Sequence, residues 1–442
     1  MDQKIKLPDK TLKIMRVFSD KKAEIYVVGG AVRDLVMGRE IKDWDLTSSL
    51  TPKDILKLFP KNSFYNNQFG TVGIIWTGEV FEVTTFRTEA NYQDGRHPNK
   101  VDWGKSLQED CQRRDFTINA MAINETGQLF DYYGGQKDLK NRLIRCVGKA
   151  DERFKEDALR LLRAVRIAGE LGFTIDKTTF KAIVGNAKSI QNISGERIRQ
   201  EIFRLLLCSR PADGVKLLKN TGLLQYILPE ILPGQKLSQK GHHIYDVWTH
   251  SLETLNNCQS QNPVTRLAAL VHDIGKPAVV KGEGETRTFY KHEIVGSRMA
   301  AIISKRLKLS KKESDLLFRL VRWHMFTASE LQSDKAVRRL IRNVTPEYLA
   351  EMIALRRADR VGSGARETSW RWELLKKRLI EVQKQPFSVK DLKIDGHDVM
   401  EILKIKPGRR VGEVLAAIFT EVEQEPKLND RDVLLEKLRK IR

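Results

Sequence analysis

Asp43 and Asp45, separated only by Trp44, are the residues of this 442-residue chain whose type and spacing most clearly suggest chemistry. Polar and apolar residues alternate through Asp43-Trp44-Asp45-Leu46 as they do in a strand, so both carboxylates share one face. Hard oxygen donors set that close suit magnesium, which keeps several waters and completes its shell with phosphate oxygens. Two such ions activate an attacking hydroxyl and stabilise a departing pyrophosphate. Upstream, Gly29-Gly30 lies between a predicted strand and a predicted helix. Without side chains there, backbone N–H groups at the helix start can approach a triphosphate. Arg33 is placed to pair with a phosphate. Glu82, in Phe81-Glu82-Val83, is expected as a third carboxylate beside the aspartates. Taken alone, Asp-x-Asp is usually a solvated strand edge. The combination GGAVRD followed closely by DWD is far more specific.

These residues need a scaffold. Residues 23–32 (AEIYVVGGAV) read as a buried strand ending at the glycines, with a helix from about Ala31 to Met37. Thr51-Pro52 opens another helix, Thr at the cap and Pro in the first turn. Segments 71–77 and 79–86 form a predicted hairpin around Gly78-Glu79. Residues 88–108 are rich in turn formers and are expected to be a mobile loop. Beyond Phe154 the pattern turns helical, with amphipathic segments at 157–171, 195–207 and 213–220. A Pro/Gly cluster at 229–241 marks a boundary, and helical regions follow at about 242–365 and 386–442.

The formal charge of +21 favours a polyanionic partner, nucleic acid first and a membrane surface second. No stretch approaches the roughly 20 apolar residues of a membrane span. The N-terminal run lacks the apolar core of a secretory signal. Cys111, Cys146, Cys208 and Cys258 are scattered without a CxxC pair, as expected of reduced thiols in a cytoplasmic protein.

Residues 29–46 (GGAVRDLVMGREIKDWDL) resemble the signature of the class II CCA-adding enzyme and bacterial poly(A) polymerase family, within the polymerase-beta-type nucleotidyltransferases. Arg113–Ala120 (RRDFTINA) is similar to the family's second motif, which implies that Arg114 contacts the nucleotide and Asp115 the ribose. Asp131-Tyr132-Tyr133-Gly134-Gly135 resembles its hinge, and Glu156–Arg160 (EDALR) its base-reading motif. The implied fold is an α+β nucleotidyltransferase head, residues 1–147, then an all-α neck at 148–210 and a helical body and connector at 211–241. An HD-like region at 242–370 and an RNA-binding tail at 371–442 complete it.

Asp157 and Arg160 stand three apart, so on one helix they would share a face. Asp offers acceptors and Arg donors. Together they complement the N4/N3 edge of cytosine and the N6/N1 edge of adenine, whereas guanine and uracil show the reverse order. Each mismatched buried group costs about 1–3 kcal/mol, so the protein itself would serve as template. Arg163 and Arg166 continue the spacing and, by resemblance, lie at the nucleotide. Each step of three lags the helix by about 60°, so Arg166 drifts away and has a bracing contact as its alternative.

The segment with Tyr92, Asp94, Gly95, Arg96 and Pro98 is similar to the loop with which full CCA-adding enzymes switch from CTP to ATP. Phe69-Gly70-Thr71-Val72 also resembles the CCA type. Full CCA addition is therefore expected, with A-only addition or poly(A) polymerase as the alternative. Seven of the eight histidines follow residue 240. His250, His272-Asp273, His292, His324 and Asp359 keep the order of the HD phosphohydrolases, which implies a site for one or two divalent metals. Imidazole with carboxylate suits Mn, Ni, Fe or Zn better than Mg. Such a site could hydrolyse a cyclic or terminal phosphate on damaged RNA, with Lys276 neutralising charge. A phosphohydrolase with a nucleotide-sensing head, or a non-catalytic RNA scaffold, are the competing readings, against which intact Asp43 and Asp45 weigh. Residues 301–345 hold 11 Lys/Arg against four Asp/Glu, including Arg319, Arg322, Arg338, Arg339 and Arg342, and are expected to track tRNA phosphates. Lys406–Arg410, in the tail, resembles the family's tRNA-elbow contact.

Overall fold

The structure is a computed structural model that describes residues 5–441 apart from 42, 66–69, 93–97, 104–105, 240–243, 327–333 and 384–388; of 87–92, 98–103, 285, 335 and 383 only the backbone is described. It divides into two compact units, Met1–Pro229 and Glu230–Arg442.

In the first unit Asp9–Ser19 (α1) buries Ile14, Met15 and Phe18. Ile25–Val28 (β1), built from aliphatic and aromatic residues, runs into Gly29 and then Gly30–Val36 (α2). Trp44–Ser48 (β2) follows. Thr51 caps Pro52–Leu58 (α3), its hydroxyl accepting from the Asp54 N–H at 3.3 Å. Ser63–Tyr65 (β3), Thr71–Trp76 (β4) and Glu79–Thr85 (β5) complete this part. The β4–β5 hairpin turns where expected, with positive φ at Thr77 and Gly78. Further on, Met121–Ile123 and Leu129–Asp131 join the same sheet. With those two strands numbered β8 and β9, its order is β3-β4-β5-β2-β1-β8-β9. Trp44, Leu46, Val72, Ile74, Phe81 and Val83 are buried on one face, and the alternate positions lie on the other.

Residues 88–108 depart from the loop expectation. Arg87–Tyr92 (β6) and Pro98–Trp103 (β7) form an antiparallel ladder with Glu89 opposite Val101. Thr88, Tyr92, Val101 and Trp103 are strand formers by type, and the turn formers between them obscured that pattern. Asp94, Gly95, Arg96 and Phe69 lie outside the described residues. Leu107–Gln112 (α4) comes next. Gly135–Lys140 (α5) has its first N–H groups capped by Asp131, at 2.8 Å from Gly135 and 2.9 Å from Gln136.

Leu143–Ile144 (β10) pairs in parallel with Thr174–Ile175 (β11). Between them the helix expected at 157–171 forms but starts two residues late, leaving Asp157 outside it. Ala150–Glu156 (α6) ends before Asp157, whose φ of −145° and ψ of 105° are extended, and Leu159–Leu171 (α7) starts beyond it. Lys177–Asn186 (α8), Gly195–Leu206 (α9), Pro211–Asn220 (α10) and Leu224–Ile227 (α11) follow, with α7 packed between α9 and α10.

The second unit is helical: Val247–Asn257 (α12), Pro263–Val271 (α13), Lys276–Val279 (α14), His292–Arg306 (α15), Lys311–Trp323 (α16), Asp334–Val344 (α17), Leu349–Gly362 (α18) and Trp370–Gln383 (α19). Gly396–Leu403 (α20), Arg409–Gln424 (α21) and Arg431–Lys440 (α22) close around their own core of Val399, Ile418, Leu434 and Leu438. The basic run 301–345 spreads over three helices instead of one face, and several of its arginines brace the fold. Arg338 is buried and donates to the Glu423 carbonyl at 2.6 Å, while Arg342 reaches the Glu423 carboxylate at 2.8 Å. Arg319 bonds Asp315 at 2.8 Å and the Asn343 carbonyl at 2.5 Å. Arg409 and Arg410 are exposed at the start of α21. Among the described residues no helix is long and apolar enough to cross a membrane.

Candidate active site and metal centre

Asp45 lies on β2 directly opposite Glu82 on β5, in parallel register. Asp43 is exposed just before β2. Residue alternation thus turns Asp45 and Glu82 to one face, and their donors are oxygens only. Burial pushes the Asp45 carboxyl above its ordinary range, Arg114 opposes this, and the neighbouring Glu82 and Asp43 charges add to it. Gly29 closes the site from the β1 side with φ +73°, a conformation a side chain strains to adopt. A Cβ there would stand 3.2 Å from Arg114 Nη1 and 3.3 Å from Asp45 Oδ2. The glycine therefore lets the turn, the arginine and the aspartate converge.

Arg114 is held by Asp110, whose other oxygen takes Arg113, at 3.0 and 2.6 Å. The i,i+3 and i,i+4 spacing of Asp110 was a signal in the sequence that went unread. Buried Asp115 accepts from Phe116 N and Asn119 on one oxygen and from Arg163 Nε and Nη2, at 2.8 and 2.6 Å, on the other. Although burial resists ionisation, Arg163 and the remaining donors pull Asp115 down to about 2. Arg33 stacks its hydrogen bonds on protein: Asp34 at 2.9 and 3.0 Å and Asn119 Oδ1 at 3.0 Å. Arg166 braces α7 to α9 through Glu201 at 2.5 Å and also bonds Glu170, the alternative to a nucleotide contact.

Asp157 and Arg160 do not pair. Asp157 stands in extended backbone ahead of α7, and its carboxylate accepts from Nη1 and Nη2 of Arg197 on α9, at 3.2 and 2.7 Å. Arg160 reaches Glu156 at 2.5 Å and the Arg113 carbonyl at 2.9 Å. Glu156, four residues before Arg160, is the last residue of α6, so this ion pair spans the junction between α6 and α7. Arg197, 40 residues from Asp157, left no local signal.

The second unit brings His250, His272, Asp273, His292, His324 and Asp359 into one buried cluster from α12, α15, α18 and the ends of α13 and α16. Asp273 divides it. Its Oδ2 lies 3.4 Å from His250 Nε2 and 3.2 Å from His272 Nε2; its Oδ1 lies 3.3 Å from His292 Nε2 and 3.6 Å from His324 Nε2. Asp359 Oδ1 joins the first group, 3.2 Å from His250. The Nδ1 atoms of His272, His292 and His324 face the carbonyls of Ala269, Phe289 and Val321 at 3.0, 2.8 and 2.7 Å. A carbonyl only accepts, so each Nδ1 carries a proton and each ring turns its Nε2 inward, the atom that would ligate a metal. His292 and His324 point these atoms at each other across 3.3 Å. Facing lone pairs repel unless a cation or proton lies between them, so two histidine–aspartate groups sharing Asp273 fit metal ions. Lys276 donates to Asp273 Oδ2 and Gln239 at 2.6 Å each, holding the bridging carboxylate from outside. Arg356 does the same for Asp359. A cavity of about 930 Å³ opens over the cluster, with Arg287, Lys291, Arg360 and Arg371 in its wall.

Comparison with known proteins covers both parts of the chain. Residues 25–145 match the poly A polymerase head domain, 172–234 a probable RNA and SrmB-binding site of polymerase A, and 247–362 the HD domain. The chain is 46% identical over 230 residues to the CCA-adding enzyme of Geobacillus thermodenitrificans, 52% of this chain and 55% of that one. In that match it spans about half the relative's length. To the CCA-adding enzyme of Limosilactobacillus reuteri it is 33% identical over 423 residues, 95% of this chain and 93% of that one. The crystal structure of the Bacillus stearothermophilus CCA-adding enzyme in complex with CTP superposes with a TM-score of 0.70 at 29% identity, covering 98% and 96% of the two chains.

Proposed function

The chain belongs to the CCA-adding enzyme family, and from that membership we propose that it is a template-independent tRNA nucleotidyltransferase, adding or repairing the 3′-terminal CCA from CTP and ATP with magnesium. The observation that carries this reading is the facing pair Asp45 and Glu82 beside the Gly29 turn and Arg114. In the reaction the RNA 3′-hydroxyl attacks the α-phosphate, its proton leaves, and pyrophosphate departs. Asp43 and Asp45 would hold magnesium, which neutralises charge on the attacking and leaving oxygens. Glu82 keeps the pair company as a third oxygen donor. Gly29 and Gly30 receive the triphosphate through backbone N–H groups, with Arg114 next to them. Asp115, fixed by Arg163, positions the ribose. Asp157 and Arg160 inspect the base after exchanging Arg197 and Glu156 for its edge.

Residues 1–147 serve as head, 148–210 as neck, 211–241 as connector, 242–370 as the HD region and 371–442 as the RNA-binding tail. The protein works in the cytoplasm, where tRNA and both nucleotides are found. A second activity, phosphohydrolysis of damaged RNA ends, rests on the six-residue cluster and its basic cavity. Imidazole-rich donors there suit Mn, Ni, Fe or Zn.

The test uses tRNA transcripts lacking one, two or three terminal residues, with labelled CTP and ATP and products resolved on a gel. All three should be completed to CCA. Asp43→Ala should abolish incorporation and His272→Ala should keep it; the reverse pattern overturns the reading. Addition of adenosine alone would indicate an A-adding enzyme.

A further inference from the structure

The sheet registers align Asp45, Glu82, Gly73 and Phe64 in a single row across β2, β5, β4 and β3. Directly opposed residues point to the same face, so Phe64 shares the face of the carboxylates. Strands lie about 4.8 Å apart, which puts Gly73 about 10 Å from Asp45. The Phe64 ring extends over Gly73: both Cε atoms lie 2.8 Å from where a Cβ would stand. Any side chain at 73 would displace the ring, yet the ring is not sealed in, since Phe64 stays 41% exposed. Ile75 and Val80 face each other in the adjacent register, two residues along from Gly73 and Glu82, and are about half exposed. The carboxylate row thus continues into an open apolar shelf.

Resting on the nucleotidyl-transfer reading above, we propose that Phe64, flanked by Ile75 and Val80, is the platform on which the terminal base of the RNA acceptor strand stacks while its 3′-hydroxyl reaches the carboxylates. Two features choose this occupant. The Gly29 turn and Arg114 approach Asp45 from the β1 side, whereas the shelf extends through β5, β4 and β3 on the opposite side. The incoming triphosphate and the strand it extends need such opposite approaches. In addition, the exposed Phe64, Ile75 and Val80 offer a phosphate no partner but accept the neutral face of a base. Stacking on an aromatic side chain is how unpaired RNA is held without regard to sequence, and an acceptor end that changes from one base to another during extension needs such tolerance.

The test compares wild type, Phe64→Leu and Phe64→Trp on a transcript two residues short of its end. Leucine still covers Gly73 but has no π-face. It should raise the KM for RNA roughly tenfold or more, within the range of one lost base stack, while the KM for CTP moves far less. Tryptophan should restore RNA affinity. Read as a difference from wild type with its seven native tryptophans, its fluorescence should be quenched by the transcript without nucleotide. An unchanged RNA KM in Phe64→Leu overturns the platform, as does a rise confined to the CTP KM, or quenching by CTP but not by RNA. Should Phe64→Leu not fold, the Phe64→Trp fluorescence decides alone. Failure of wild type to transfer nucleotides would sink the underlying reading, whereas transfer with an indifferent Phe64→Leu sinks only the platform.

Discussion

Replacing Arg163 with methionine tests how the head and neck are locked together. Asp115 is buried, and its carboxyl falls from the ordinary 3.8 to about 2, mainly because Arg163 outweighs the burial. A depression of that size corresponds to about 2.5 kcal/mol. Because the folded value is the lower one, this contribution is complete above pH 3.8 and is lost only as pH falls through about 2. Wild type therefore loses nothing through this pair between pH 8 and 5. Methionine keeps the apolar stem but strands the buried carboxylate, which costs about 3–5 kcal/mol. In a unit of this size that lowers the melting temperature by roughly 6–20 °C at pH 8. In the variant the sign reverses. Burial without Arg163 raises the folded pKa, so the ionised form is penalised, and acid relieves the penalty by protonation. Phe116 N and Asn119 still donate to Asp115, so relief is partial. Calorimetric melts at pH 8, 6.5 and 5 should show the gap to wild type narrowing, and adding Asp115→Asn to the variant should recover part of the loss. A gap that is constant with pH and indifferent to Asp115→Asn refutes the argument.

Asp273→Asn should abolish most metal binding, because both histidine groups share this carboxylate, whereas His250→Ala should impair only the group it belongs to. Elemental analysis after dialysis against manganese or nickel reads the stoichiometry, and equal losses in the two variants would refute a shared bridge. Arg197→Ala should free Asp157 from its fixed pose and raise misincorporation of UTP and GTP relative to CTP by about tenfold, with partial rescue by Arg197→Lys. Unchanged fidelity together with unchanged KM for CTP and ATP would mean that Arg197 does not position the base reader.

What the sequence disclosed depended on how local the cause was. A period of two needs no tertiary information, so the strand that carries Asp45 could be read from its own residues, although it starts at Trp44 and leaves Asp43 exposed just before it. The Gly78 turn and the Thr51 cap are likewise written in neighbouring residues. The order of histidines named the cluster, but only the packed helices show Asp273 divided between two groups. Other features were set by partners distant in sequence. The break at Asp157 follows no breaker residue, and the Arg197 that faces it comes from another helix. Arg338 and Arg342 looked like an RNA-binding face, but they are used to hold Glu423. Composition cannot tell a solvated arginine from one that satisfies a buried carbonyl.

For Asp157 and Arg160, the proposed base readers, that distinction has a consequence. Both Asp157 and Arg160 hold charged partners, so neither is an unpaired buried charge, which would cost several kcal/mol. A nucleotide must therefore compete with Arg197 and Glu156 for them. A correct base repays both exchanges with complementary hydrogen bonds. A wrong base repays at most one and leaves a polar group unpaired, at about 1–3 kcal/mol. On that proposal selectivity comes from a difference between two sets of satisfied contacts, and Arg197 and Glu156, which hold the reader, would belong to the template as much as the two residues proposed to touch the base.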